Sequence, residues 1–368
     1  MKTGLKGGIE MAAKVTIQDI ADALGISRNT VSKAMNNAPG LAEATRERIL
    51  QKATEMGYKQ FSYVQSLRLA AENAQKAADA LAQEAEQPPQ FREVALLTSF
   101  HLTGSHFASL MLDRLQQELH QMGFQLNTYH VSREELRNGT LPSGFRPDQV
   151  SAVVCIEMFD WDYDRMLCDL GLPILFVDGP ACPDGRSLPA DLLLMDNTTG
   201  LTQLLRELLA KGVRRIGFLG DYLHCQSFYE RYLAYRTALL LAGVPAEERF
   251  LLRTDSPRDV YDKLAALEEL PELFICANDF VAYDALQALR KLGKAVPEDV
   301  MLCGFDDAPE SRMVVPALTT VHIHTQIMAF SAAQLLITRI REPSLDYCRV
   351  YTQTDLIRWE STGAVQAN

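Results

Sequence analysis

Several things are scarce in this chain of 368 residues, and each scarcity excludes something. No apolar run approaches the roughly 20 residues needed to span a bilayer. The opening stretch, MKTGLKGGIEMAAKV, holds no apolar segment of a secretory signal, so we expect a cytoplasmic protein, with Met11 a candidate true start. Cysteine is sparse: Cys155, Cys168, Cys182, Cys225, Cys276, Cys303 and Cys348 are odd in number, scattered and never spaced as CxxC. That argues for reduced thiols and against a disulfide framework or a zinc site. His322 and His324 share one strand face but have no third ligand nearby, so we expect no metal. No GxSxG, HExxH or P-loop pattern occurs, and no acid/base pair of carboxylates stands out as in a glycosidase. We therefore expect no enzyme, no catalytic residue and no cofactor.

What is present divides unevenly. Residues 1–60 carry nine Lys/Arg against six Asp/Glu; the remainder carries 27 against 41. A mildly basic head on an acidic body suits a polyanion-binding domain joined to a larger non-binding one. Within the head, Ile17, Ile20, Ala21 and Leu24 follow the i, i+3, i+4, i+7 spacing of one helix face. Thr16, with Asp19 three residues on, resembles a capping box. Gly25 supplies a C-cap, and Ser27 an N-cap for a second helix with Val31, Ala34 and Met35 inward. A third helix at about 42–56 places Ile49, Leu50, Ala53 and Met56 on its apolar side. Two short helices joined by a tight turn and braced by a third make a helix-turn-helix.

In such a unit the start of the second helix enters the major groove. Here it offers Ser27, Arg28, Asn29, Thr30, Ser32 and Lys33. Arg pairs bidentately with guanine and Asn with adenine. Thr16, Thr30 and Asn36 are placed more like phosphate clamps. An ordinary three-helix packing element is the alternative that spacing leaves open.

The order of residues adds to this. Val15-Thr16-Ile17, Asp19-Ile20-Ala21, Gly25-Ile26-Ser27, Thr30-Val31-Ser32, Asn36-Asn37, Gly40, Thr45-Arg46, Ile49 and Gly57-Tyr58 closely resemble the DNA-binding domain of the lactose/galactose repressor family. The resemblance implies that Arg28 and Asn29 read bases. It puts Lys33 where the family usually has Arg, whose bidentate fork Lys lacks. It also implies a hinge helix, matched by Ser66-Leu67-Arg68, with Leu67 as a minor-groove wedge. Gln60 replaces the usual Pro there, and Phe61 and Tyr63 are bulky.

Residues 69–90, LAAENAQKAADALAQEAEQPPQ, replace what is normally a brief linker. They are rich in helix formers and end at Pro88-Pro89. Leu67, Ala74 and Leu81 recur every seven residues, which fits an Ala-rich coiled coil or equally a solvated helical spacer.

From Phe91 onward strand-like runs (93–99, 124–130, 151–157, 173–178, 214–220, 272–277, 299–305) alternate with amphipathic segments near 106–121, 197–211, 227–242, 279–292 and 326–340. Alternation of this kind means parallel, doubly wound sheets, here in two lobes. Ligands in such folds sit beyond the carboxyl ends of the strands. The polar residues there are Ser99, Asp178, Asp221, Asn278-Asp279 and Asp306-Asp307, a set suited to a hydroxyl-rich ligand, though each alone could be a cap or turn residue. LPILFVD, MDNTTG, LLAKGVRRIGFLG, ERYLAYRTALLLAG, CANDFVAYDALQALRKLGKAVPEDVMLCGFDD and PALTTV resemble the effector core of the same family, which is similar to periplasmic sugar-binding proteins.

The resemblance implies an N-terminal all-α helix-turn-helix domain (15–60), a hinge and connector (61–90) and a two-lobed α/β effector domain (91–368). The lobes would be 91–194 with 325–352, and 195–321 with 353–368. It implies ligand contacts at Asp178, Arg231, Asn278 and Asp306. The usual stacking aromatic falls near Asp255 and the Gly of its signature is Val260, so Phe107, Phe159, Trp161 and Phe228 are the candidate replacements. The function so implied is a homodimeric regulator, acting as a repressor. It would bind a near-palindromic double-stranded operator and be switched by a sugar-like effector, or by a nucleoside. A solute-binding protein for sugar transport is the alternative; it would have no use for residues 15–58.

Overall fold

A computed structural model describes residues 17–35, 41–56, 92–99 and 106–363. The expectations for Thr16, Asn36, Leu67 and the connector at 61–90 lie outside these residues, as does the side chain of Phe107. The chain divides into two compact units, Met1–Pro88 and Pro89–Asn368.

In the first unit the apolar spacing folds as read. Helices α1 (Ile17–Leu24), α2 (Arg28–Met35) and α3 (Glu43–Glu55) close around Ile20, Ala21, Val31, Ala34, Ile49 and Ala53, with Ile17, Leu24, Leu50 and Met56 packed at the margin. The turn between α1 and α2 depends on Gly25, whose φ is +65°. A Cβ there would meet nothing within 4 Å, so the demand is conformational rather than steric. The next amide, of Ile26, returns to the Ala21 carbonyl at 3.0 Å and ends the helix. Ser27 then caps α2, its Oγ accepting the Thr30 amide at 3.1 Å.

The second unit holds two sheets. The larger runs β11-β5-β4-β3-β1-β2, all parallel: β1 (Glu93–Thr98), β2 (Gln125–His130), β3 (Ala152–Ile156), β4 (Ile174–Val177), β5 (Asp191–Met195) and β11 (Arg349–Thr352). Alternate residues sort to its two faces. Val94, Leu96, Val154 and Leu175 pack with α4 (His106–Gln121) and α12 (Thr325–Arg341). Ala95, Leu97, Val153 and Phe176 pack with Leu136 of α5 (Arg133–Asn138) and with Tyr163 and Leu167 of α6 (Trp161–Cys168).

The second sheet runs β7-β6-β8-β9, again parallel: β6 (Ile216–Leu219), β7 (Leu251–Leu252), β8 (Leu273–Cys276) and β9 (Met301–Cys303). Phe218 and Ile275 face α7 (Thr199–Ala210) and α8 (Gln226–Leu241). Leu219, Phe274 and Leu302 face α9 (Pro257–Ala265) and α10 (Asp279–Lys291). Burying each such side chain is worth about 1.5–3 kcal/mol. The short α11 (Pro309–Met313) follows β9, and β10 (Thr320–Ile323) pairs antiparallel with β12 (Thr354–Ile357). Bridges from Cys303 to Thr319 and from Asp306 to His322 attach that pair to β9.

The chain passes between the lobes three times: from β5 to α7, from β10 to α12, and from β11 to β12. At Gly304 an added Cβ would collide with the Asp279 carboxylate at 2.0 Å. Its absence lets that buried carboxylate take the Ala308 amide (2.8 Å) and the Thr320 hydroxyl (2.7 Å), which sets the loop carrying Asp306 and Asp307.

Candidate functional site

Two surfaces follow from this architecture. On α2, Ser27, Arg28, Asn29 and Lys33 are exposed and Thr30 and Ser32 half-buried, on the side away from Val31 and Ala34. The Ser27 and Thr30 hydroxyls lie 2.8 Å apart. The helix has no acidic residue, so its first turns combine polar side chains, two cations and an N-terminal dipole end.

The second surface is a cleft of about 830 Å³ between the lobes. Strand ends β1, β3, β4 and β5 bring Ser99, Glu157, Phe159, Asp178 and Met195 to it. The ends of β7, β8 and β9 bring Asp255, Asn278, Asp306 and Asp307; α8 and the loop before it bring His224, Phe228 and Arg231. All the described residues other than glycine with a positive φ lie here: Glu157 (57°), Asp178 (60°), Asp306 (111°) and Asp307 (53°). Backbone held in that region costs free energy and tends to mark functional sites. Every one of the four is a carboxylate.

Arg231 is the centre of the cleft's hydrogen bonding and is 2% exposed. Its Nε donates to Asn197 Oδ1 at 3.0 Å and its Nη1 to the Ala277 carbonyl at 2.7 Å. Its Nη2 lies 3.5 Å from Asp306 Oδ1. The guanidinium carbon sits 3.6 Å over the Phe305 ring, and 5.4 Å from that of Phe228. Burial pushes the Asp306 carboxyl up to about 6, against the pull of Arg231. Burial raises Asp178 too, opposed by the Gly179 and Ser227 amides that its Oδ1 accepts at 2.8 and 3.1 Å. Asp279, behind them, is raised well above the carboxylate range by burial and by Asp306.

Of the sequence candidates, Asp178, Arg231, Asn278, Asp306, Phe159 and Phe228 line the cleft. Asn278 also caps α10, its Oδ1 accepting the Val281 amide at 3.0 Å, so its amide nitrogen is what remains for a ligand. Trp161 is not among the lining residues; its ring carries the Arg186 guanidinium at 4.3 Å. Asp221 is also outside the lining, paired with Arg253 at 2.9 Å.

Sequence reasoning did not single out Glu157, His224 or Phe280, which line the cleft, nor Asn197, which holds Arg231. For Asn197 the signal was its place in MDNTTG, just after β5. No metal-ligating cluster of His, Cys, Asp or Glu occurs among the described residues, and none of their helices is long and apolar enough to cross a membrane.

Comparison with known proteins fits both surfaces. Residues 16–60 match the family described as bacterial regulatory proteins, lacI family, and residues 205–362 match a periplasmic binding protein-like domain. A transcriptional repressor named PurR from Mannheimia succiniciproducens is 28% identical over 333 residues, covering 88% of this chain and 92% of that protein. A transcriptional regulator named CelR from Thermobifida fusca is 26% identical over 361 residues, covering 96% and 100%. The solved CelR–cellobiose complex aligns with a TM-score of 0.62 at 26% identity, over 95% of this chain and all of that one. A lac repressor dimer bound to operator and an anti-inducer shares the fold, with a TM-score of 0.61 at 20% identity and coverage of 96% and 100%. These relatives regulate transcription and are not enzymes. With its N-terminal helical unit and its two-lobed parallel-sheet body both matched, the chain belongs to the lacI family of bacterial transcriptional regulators.

Proposed function

We propose that this regulator is a cytoplasmic homodimeric repressor. Its α2 reads the half-sites of a near-palindromic operator, and its cleft binds a small hydroxylated effector, a sugar or sugar derivative. The observation that carries the reading is the convergence of Asp178 from one lobe with Arg231, Asn278 and Asp306 from the other. Such a ligand is gripped from both sides and biases the angle between the lobes. We assign the domains as 15–60 for DNA, 61–90 for hinge and connector, and 91–368 for effector binding and dimerisation. The lobes within the last are 91–194 with 325–352, and 195–321 with 353–368. On α2, Arg28 and Asn29 contact base edges, while Ser27, Thr30, Ser32 and Lys33 hold register. Exposed Ile327 and Phe330 on α12 supply apolar surface for a second copy.

The test has two linked parts. A thermal-shift screen of sugars and polyols should give a hit, because ligand at 100 times its dissociation constant adds about 2.7 kcal/mol of stability. Operator DNA selected from a random pool should then change the affinity for that ligand by the factor by which the ligand changes DNA affinity. Operator affinity that stayed constant at saturating ligand would rule the switch out.

A nucleobase or nucleoside effector is the second reading. It is favoured by the rings of Phe159, Phe228 and Phe280 in the cleft. Hypoxanthine and guanosine belong in the same screen.

A further inference from the structure

We infer that Glu230 is a positioning residue. Its carboxylate ties Arg231, the buried cation of the cleft, to the opposite lobe through one continuous hydrogen-bond relay, so that the cleft and the links between the lobes move together. The inference rests on the effector reading only in taking Arg231 as an effector contact.

The first observation is the set of partners. Glu230 lies on α8, half-buried, one residue before Arg231. Its Oε2 accepts the Asn197 side-chain amide at 2.9 Å. Its Oε1 accepts Gln226 Nε2 at 3.0 Å and the Tyr351 hydroxyl at 2.9 Å. An ionised carboxylate can only accept, and all three partners donate, so every contact is charge-assisted.

The second observation is direction. Asn197 is 1% exposed and stands between Arg231 and Glu230. Its Oδ1 accepts Arg231 Nε at 3.0 Å, while its Nδ2 donates to Glu230 and to the Met195 carbonyl at 3.0 Å. A guanidinium can only donate, so the Asn197 amide has one orientation. Gln226 is fixed in the same way. Its Oε1 accepts the Cys182 backbone amide at 3.3 Å, which leaves Nε2 for Glu230. The relay runs from Arg231 through Asn197 to Glu230 and leaves by two branches, one to Tyr351 and one through Gln226 to Cys182.

The third observation is where the branches end. Glu230, Gln226 and Arg231 belong to α8, which packs on the second sheet. Tyr351 lies on β11, the edge strand of the larger sheet, and Cys182 in the loop after β4. Asn197 sits on the passage from β5 to α7, and Tyr351 just before the passage from β11 to β12. These two passages are bonded to each other: the Asp196 amide donates to the Thr352 carbonyl and the Thr354 hydroxyl to the Asp196 carbonyl, both at 2.8 Å. The Gln226 amide adds a bond to the Gly179 carbonyl, next to Asp178, at 2.8 Å. One carboxylate thus grips two of the three links and the loop behind Asp178. Members of such a network strengthen one another, so the loss of one weakens the rest.

Hydrogen exchange read by mass spectrometry on the full chain, without ligand, tests this independently of what the cleft binds. Tyr351→Phe removes a single hydroxyl from a partly exposed ring. Glu230→Gln sets an amide donor against three donors. Tyr347→Phe, exposed and outside the relay, is the control. Both relay variants should speed exchange about threefold or more in peptides spanning 179–183 and 195–199, which Tyr351 does not touch through its hydroxyl. Peptides spanning 125–130, at the opposite edge of the larger sheet, should keep the wild-type rate, as should every peptide of the control. The double variant should fall short of the product of the two single effects, because both act through one relay. A change confined to 349–353 would overturn the inference. So would equal acceleration at 125–130, the mark of general destabilisation, or single effects that multiply in the double variant. The same variants are then titrated with operator DNA selected from a random pool. Spread of exchange with altered operator affinity supports the relay and the switch together. Spread with unaltered operator affinity supports the relay and counts against the switch.

Discussion

The carboxylate of Asp178, in one lobe, accepts the backbone amide of Ser227, in the other, at 3.1 Å. Helix α8 has no side-chain cap of its own at Cys225. Its first turn is therefore capped by a charge from across the cleft, at the end where the helix dipole favours an anion. Replacing Asp178 by Ala should cost about 1–3 kcal/mol in the stability of the closed arrangement. Effector affinity should drop by a tenfold or more, and small-angle scattering should report a larger radius of gyration.

Arg231 should tolerate no substitute. Lys cannot reach Asn197, the Ala277 carbonyl and Asp306 together, because it has one nitrogen where Arg has a fork. Arg231→Ala removes a buried guanidinium and leaves the half-buried Asp306 without its cation, a change worth about 3 kcal/mol. Thermal melts should show that loss in both variants, and effector-dependent stabilisation should vanish with it.

The pH dependence has a definite sign. Asp306 is raised in the folded state to about 6, so its neutral form is favoured by folding. Its contribution to stability is full below about pH 4, where the unfolded group is also protonated, and is lost as pH climbs to about 6. Asp178 and Asp279 are shifted in the same direction. A ligand hydroxyl that donates to Asp306 is held more strongly by the ionised form. Affinity for the effector should therefore rise through a midpoint near pH 6, and Asp306→Asn should flatten that profile.

Asp164 on α6 is fully buried, and neither of its carboxylate oxygens has a hydrogen-bond partner. Burial raises its carboxyl well above the usual range, with Asp160 adding to the effect. A similar-sized apolar residue removes the burden. Asp164→Leu should stabilise the chain by about 1–3 kcal/mol at pH 8 and by less at pH 4, measured by denaturant titration.

On the helical unit, Gly25→Ala forces a Cβ into a φ of +65° and should destabilise the unit by about 1 kcal/mol. Arg28→Ala and Asn29→Ala should each weaken operator binding by about 1–3 kcal/mol and relax base preference at one position. Lys33→Ala should lower the salt dependence of binding more than its sequence preference.

What could be read from the sequence followed the strength of its periodicity. The three helices of the first unit were legible because Ile20, Ala21, Val31, Ala34, Ile49 and Ala53 recur at helical spacing. The long amphipathic helices α4, α7, α8, α10 and α12 were placed within about two residues at either end. Of the seven strands found, six are buried on both faces and read as apolar runs, whereas β2 is a largely exposed edge strand. Of the strands that were missed, β7, β11 and β12 lack that signal. β7 has two residues, β11 and β12 alternate with exposed polar positions, and the apolar run of β5 follows directly on a loop. Helices α5, α6, α9 and α11 were missed as well, α6 carrying the polar sequence WDYDRMLC. In the cleft, resemblance supplied the positions of Asp178, Arg231, Asn278 and Asp306. The left-handed backbone at Glu157 and the commitment of Arg312 to Asp307 are tertiary facts with no local imprint.

The three passages between the lobes have a mechanical consequence. A pair of bodies joined by one tether can tilt, twist and slide. Joined by three links, they are hindered in twist and slide and keep one soft motion, rotation about the axis along which the links lie. Within the two-lobed unit, that angle is the softest internal variable. Anything that acts on it, a small molecule in the cleft or a substitution at a link, enters by adding to or subtracting from the same quantity. Two inputs that never touch will then combine as a sum on one scale, and the response to either can be restored by opposing it with the other.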